Sequence, residues 1–102
     1  MTSERDIQRA IMIETHSLVD WHRNNVGVAR ISGYTVRYGV GGNGGSDLIG
    51  ILRGSGRFIA CEVKRPGQKP TIGQKKFIDR INRAGGLAFV ATSVEDVLEA
   101  IK

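Results

Sequence analysis

The chain predicts a mixed α/β domain, a mixed β-sheet made of an antiparallel meander plus one parallel strand and flanked by helices. Three observations carry this. Two apolar runs, Leu48–Leu52 and residues 57–64, stand on either side of Gly54-Ser55-Gly56, which is the pattern of a hairpin. The second run leads through a helical pattern into another short apolar run, residues 87–92, and strand, crossover helix, strand implies a parallel pair. Further helical patterns stand at both ends of the chain. At 102 residues the whole fits one domain, residues 1–102, with no internal repeat and no linker.

Taken in order, residues 3 to about 23 place Ile7, Ala10, Ile11, Leu18 and Trp21 at helical spacing, with Ser3 and Asp6 as a capping box, so one amphipathic helix is expected there. On that helix Trp21 is expected in the core, and His16 and His22 on the polar side. After Asn24 and Asn25, the alternation of Val26, Val28 and Ile31, then Ser32-Gly33, then Tyr34, Val36 and Tyr38, predicts a short hairpin. A glycine-rich stretch, GGNGGSDLIG, separates it from the second hairpin. Pro66, Gly67 and Pro70 make a loop, and Thr71 caps a helix to about residue 83 with Ile72, Phe77, Ile78 and Ile81 on its buried side, stopped at Gly85-Gly86. Residues 87–92 are short enough for a buried strand. Ser93 then caps a last helix, with Glu95 and Asp96 in its favourable first turn.

The bulk numbers exclude several classes. Apolar residues make up 40% and charged residues 25%, ordinary for a globular domain. No apolar stretch approaches the ~20 residues of a membrane span, and the opening MTSERDIQRA is charged where a secretory leader needs an apolar core, so a cytoplasmic protein is expected. One cysteine excludes an internal disulfide, and with two histidines it offers no zinc spacing, so any metal must take oxygen ligands. Cys61 itself reads as a small buried hydrophobe. The net charge is +5, and seven cations against one acid lie between Lys64 and Arg83. Such a field attracts polyanions. Arg65, Lys69, Lys75 and Lys76 are the cations expected against DNA.

The chemistry concentrates in the second hairpin. Residues two apart on a strand share a face, so Glu62 and Lys64 project together while Cys61 and Val63 point the other way. Pairing about Gly54–Gly56 brings Asp47, at the start of one strand, opposite Glu62, near the end of the other. Two carboxylates converging without His or Cys suit Mg²⁺ or Mn²⁺. A lysine beside them can offset developing charge or orient a water. That set serves metal-assisted phosphodiester hydrolysis, in which the ion polarises the phosphoryl oxygen and activates the nucleophile. Glycines ahead of Asp47, Gly44 and Gly45 among them, leave room for a sugar-phosphate backbone. The bland reading of each part remains a surface Glu/Lys pair, a flexible turn and a solvated basic face.

Asp47, and then fifteen positions on Glu62-Val63-Lys64, resembles the D...ExK core of the PD-(D/E)XK nuclease superfamily. The wider string from Gly45 to Ile101, with Lys64-Arg65-Pro66, Gln74 and the Gly85-Gly86 stop, is similar to the VRR-NUC branch in its small stand-alone phage and bacterial form. The resemblance implies a restriction-endonuclease-like core and a Mg²⁺ or Mn²⁺ dependent endodeoxyribonuclease. It also implies a homodimer resolving Holliday junctions, with the metal on Asp47, Glu62 and the Val63 carbonyl. It further implies a first-helix acid, which Glu4 fits better than Glu14, and a glutamine beside the site, Gln74. Gln8 follows Glu4 by one turn and shares its face. Ser46 stands where the superfamily's name has proline. Rival readings are the same chemistry on flaps or duplex in repair or phage DNA processing, and a non-catalytic basic DNA-binding module.

Overall fold

The computed structural model describes residues 2–102. Ser3 caps the first helix, α1 (Glu4–Glu14), its Oγ accepting from the Asp6 N–H at 3.1 Å, and Glu4 and Asp6 favour the positive end of the helix dipole. The helix stops nine residues short of the expected end. Thr15 closes it, donating its hydroxyl to the Ile11 carbonyl at 2.6 Å and accepting from Trp21 Nε1 at 2.8 Å. Leu18 and Trp21 satisfy a helical period, but Val19, Asp20, Trp21 and His22 also alternate in and out. Pairing with a neighbouring strand decides for alternation.

That segment is β1 (Val19–Arg23), which pairs antiparallel with β4 (Leu48–Leu52). Trp21 is in the core as expected, although on a strand; His22 lies on the same strand and His16 in the turn before it, so neither is on a helix. The expected hairpin then follows as β2 (Gly27–Ile31) and β3 (Tyr34–Tyr38), with Ser32 and Gly33 at φ 50° and 81° forming its two-residue turn. Positive φ at both central residues gives a turn whose twist matches the strands. β4 folds back on β5 (Arg57–Val63), which runs parallel to β6 (Leu87–Ala91) through the helix α2 (Ile72–Arg83). The chain ends in α3 (Val94–Ile101), capped by Ser93.

The main sheet has the order β1-β4-β5-β6, and β2-β3 form a separate two-stranded sheet. The alternation of β5 assigns its faces. Ile59, Cys61 and Val63 pack with Ile7 and Ile11 of α1 and Val97 of α3, while Ala60 and Phe58 pack with Phe77, Ile78 and Ile81 of α2. Helices therefore cover both faces of the central hairpin, as a strand paired in parallel requires. Each apolar side chain taken fully out of water there contributes roughly 1.5–3 kcal/mol. Among the described residues no helix is long and apolar enough to cross a membrane.

Candidate active site

Register carries Asp47 to Glu62. Leu48 pairs with Cys61, so the next step along both strands sets Asp47 opposite Glu62, where the hairpin parts. There the Val63 N–H is taken by Asp47 Oδ2 at 2.9 Å rather than by a β4 carbonyl. The backbone of Asp47 is held too, its carbonyl accepting from the Asn24 N–H at 2.8 Å. With one carboxylate oxygen and the main chain both fixed, Asp47 has one oxygen left to turn toward a ligand.

Glu62 lies on the same strand end at 2% exposure, yet its Oε1 has no hydrogen-bond partner. Its other oxygen is 3.7 Å from Lys64 Nζ, a long ion pair. A buried carboxylate with an orphaned oxygen is costly, so the protein holds on to a proton instead. Burial first, and then a hydrogen bond and repulsion from Asp47, push the Glu62 carboxyl up to about 8; Lys64 pulls it down and Glu4 adds to the rise. A divalent cation would relieve this arrangement directly, since it supplies the missing partner and neutralises two facing acids. The donors are oxygens only, which fits Mg²⁺ or Mn²⁺. Among the described residues no group of three or more His, Cys, Asp or Glu side chains is gathered into a complete cage. Any ion here would thus keep open positions for water and phosphate.

Asp47 also lines a cleft of about 380 Å³, together with Glu4, Arg5, Gln8, Arg23, Asn24 and Asn25. Glu4, on the first turn of α1, borders it together with Gln8 one turn on. Glu14, at the far end of the same helix, is exposed and does not line it. Of the two first-helix acids, only Glu4 lines the cleft with Asp47. Gln68 braces it. With its amide nitrogen turned to Glu4, Gln68 donates to Glu4 Oε2 at 2.6 Å and accepts from an Arg65 guanidinium nitrogen at 2.8 Å.

Gln74 closes a capping box, its Oε1 accepting from the Thr71 N–H at 2.8 Å while its own N–H donates to Thr71 Oγ1 at 3.1 Å. Its amide nitrogen takes no part in the cap. Gly44 and Gly45 do not leave an open rim. A Cβ on Gly44 would strike the Gly73 carbonyl at the start of α2, and one on Gly45 would strike the Val40 carbonyl, so their missing side chains serve close packing of the protein on itself. Arg65, Lys69, Lys75 and Lys76 are exposed around the loop and first turns of α2. Cys61 is fully buried, and its thiol is pushed up by burial and by Asp47, Glu62 and Asp96, so it stays neutral.

Two residues of the site escaped the reading of the sequence. Asn24 looked like a break between elements. It is instead a clamp, donating through Nδ2 to the carbonyls of Val40 at 2.7 Å and Ser46 at 2.9 Å and accepting at Oδ1 from the Val40 N–H at 2.9 Å. An amide that both donates and accepts suits the root of a chain excursion, and its place just before an acid-free hairpin was the available signal. Gln68 gave no signal beyond its position after Pro66-Gly67.

A mixed sheet that parts at its central hairpin to present two acids and a lysine beside a polar cleft belongs with the nuclease-type domains. Residues 2–95 match the VRR-NUC domain family, and the chain belongs to that family. Among solved structures, a chain described as a VRR-NUC domain superposes with a TM-score of 0.65 at 26% identity, covering 99% of this chain and 96% of that one. None of the curated proteins compared with it matches. The family makes the chain a nuclease domain, with DNA as its substrate class.

Proposed function

We propose that the chain is a Mg²⁺ or Mn²⁺ dependent endonuclease that hydrolyses DNA phosphodiester bonds in branched structures, four-way junctions above all, and works as a homodimer. The observation that carries the catalytic part is Glu62, buried with an unpartnered oxygen against Asp47 and Lys64. Asp47, Glu62 and the Val63 carbonyl would hold the ion, which when bound polarises the phosphoryl oxygen and activates water.

The chain's own groups do the rest. The Val63 N–H keeps the Asp47 carboxylate in one orientation. Lys64, with its side chain 14% exposed, keeps its ammonium close to the attacked phosphorus, where it orients water and offsets the charge that gathers as the P–O bond breaks. Glu4 faces the same space from α1 and, braced by Gln68, accepts hydrogen bonds from water there. The amide nitrogen of Gln74 and the cations Arg65, Lys69, Lys75 and Lys76 bind phosphates flanking the scissile one. The attacking water loses its proton to solvent, and the leaving oxygen gains one. A two-fold dimer presents this cleft twice, which suits a four-way junction.

The test is cleavage of labelled four-way junction, flap and linear duplex at matched salt, with Mg²⁺, Mn²⁺ or EDTA. Wild type should cut the junction fastest and only with a metal. Glu62→Gln and Lys64→Ala should bind normally and lose about a thousandfold or more in rate, roughly 4 kcal/mol of barrier. Binding without cutting under either metal would leave a DNA-binding module and end the enzymatic reading. Equal cutting of all three substrates would remove the junction preference alone.

A further inference from the structure

The β2–β3 ribbon is bonded to no other strand, and all of β3 is exposed. A lone two-stranded hairpin is marginal in water, so its persistence here calls for a use. The register sorts its side chains. Ala29, Ile31, Tyr34, Val36 and Tyr38 fall on one face, and Arg30 and Arg37, with Val28 and Thr35, on the other. Ile31 and Tyr34, paired at the tip, are 58% and 76% exposed. Between Asp20 and Asp47 the chain has no acid at all, only Arg23, Arg30 and Arg37. That bias matches a polyanion and does not match a protein surface of mixed charge.

The arm is also rooted at the cleft. Asn24, which clamps its base at Val40, lines the cleft beside Arg23 and Asp47. Five residues per strand carry the tip roughly 17 Å beyond that base. The Cα radius of gyration, 14.0 Å, is slightly above the roughly 13 Å of a compact chain of this length.

We propose, resting on the nuclease reading above, that the β2–β3 ribbon is a DNA-gripping arm. Arg30 and Arg37 on its basic face follow the phosphates of the duplex leaving the cleft. A two-stranded ribbon fits the major groove, so the arm can lie along it. The tip, Ile31 with Tyr34, meets bases left unstacked at a branch, where an aromatic face binds without regard to sequence. The basic face supplies affinity for any duplex, and the tip supplies preference for branched DNA.

The experiment is equilibrium binding of a labelled four-way junction and of a duplex with the same arm sequence, in EDTA, over a salt series. Arg30→Ala/Arg37→Ala should weaken binding about tenfold at moderate salt and lower the slope of log affinity against log salt by about 1.8, two phosphate contacts' worth. Arg30→Lys/Arg37→Lys should keep the slope, and all variants should melt like wild type. Tyr34→Ala should narrow the junction-to-duplex affinity ratio while leaving the slope intact. An unchanged slope in the double alanine variant overturns the arm. So does a wild-type dimer that falls apart in Ile31→Ser/Val36→Ser while DNA affinity holds, since the ribbon would then belong to a second copy. Cutting is scored separately on wild type with Mg²⁺ and Mn²⁺: failure to cut with the slopes as expected counts against the nuclease reading and supports the arm.

Discussion

The molecule contains two antiparallel hairpins of similar length and opposite fate. β4–β5 is covered on both faces by helices and flanked by β1 and β6, whereas β2–β3 has no strand neighbour and stands in solvent. The same local grammar, two short runs about a tight turn, produced both. Burial makes the difference in chemistry. In the covered hairpin a glutamate is driven far from its ordinary behaviour; in the bare one, arginines stay solvated. On the roles proposed above, one hairpin breaks bonds and the other holds DNA.

That contrast can be broken at its strongest point by pH. Unfolded Glu62 would hold a proton only below about 4.5, whereas in the folded protein it keeps one up to about 8. Between these values the native state binds more protons than the unfolded state, so stability falls as pH rises, by up to about 1.4 kcal/mol per unit. Metal-free protein should therefore melt several degrees higher at pH 5.5 than at pH 8.5, and Glu62→Gln should flatten the profile. Mn²⁺ should raise the melting temperature of wild type at pH 8, and do so far less at pH 5.5, where the proton occupies the site. A flat wild-type profile would mean that Glu62 is not held as described.

Ile59→Ala, in the covered hairpin at 0% exposure, should cost about 2–5 kcal/mol in denaturant unfolding. Asn24→Ala should cost about 1–3 kcal/mol, because carbonyls at the arm's root lose their donor, and should raise hydrogen exchange throughout β2 and β3. Val36→Ala, on the bare ribbon, should change global stability by less than about 0.5 kcal/mol. A large loss there would show that the ribbon folds as part of the core.

How far all this could be read from the sequence depended on whether one pattern had a competitor. Asp47 and Glu62 could be paired in advance because Gly54–Gly56 leaves the β4–β5 register little choice, and the alternation of β5 then places Lys64 with Glu62 and Cys61 opposite. The parallel β5–α2–β6 unit was legible for the same reason. Residues 18–22 were not, because Leu18 and Trp21 fit a helix while Val19 and Trp21 fit a strand, and only contact with β4 separates the two. Gly44 and Gly45 looked like clearance for a ligand, but the space each leaves is occupied by the Gly73 and Val40 carbonyls. For Gln74 the capping box with Thr71 was present in the sequence, as Thr-x-x-Gln, and claims half of its amide. The faces of β2–β3 could be assigned from alternation, whereas its isolation could not, since nothing local states which sheet a hairpin will join.

The Asn24 clamp also joins the arm to the site. By gripping Val40 and Ser46 from one side chain, it ties the far end of the excursion to the residue that precedes Asp47. A pull on residues 27–38 is therefore carried through one amide to Ser46, the neighbour of Asp47.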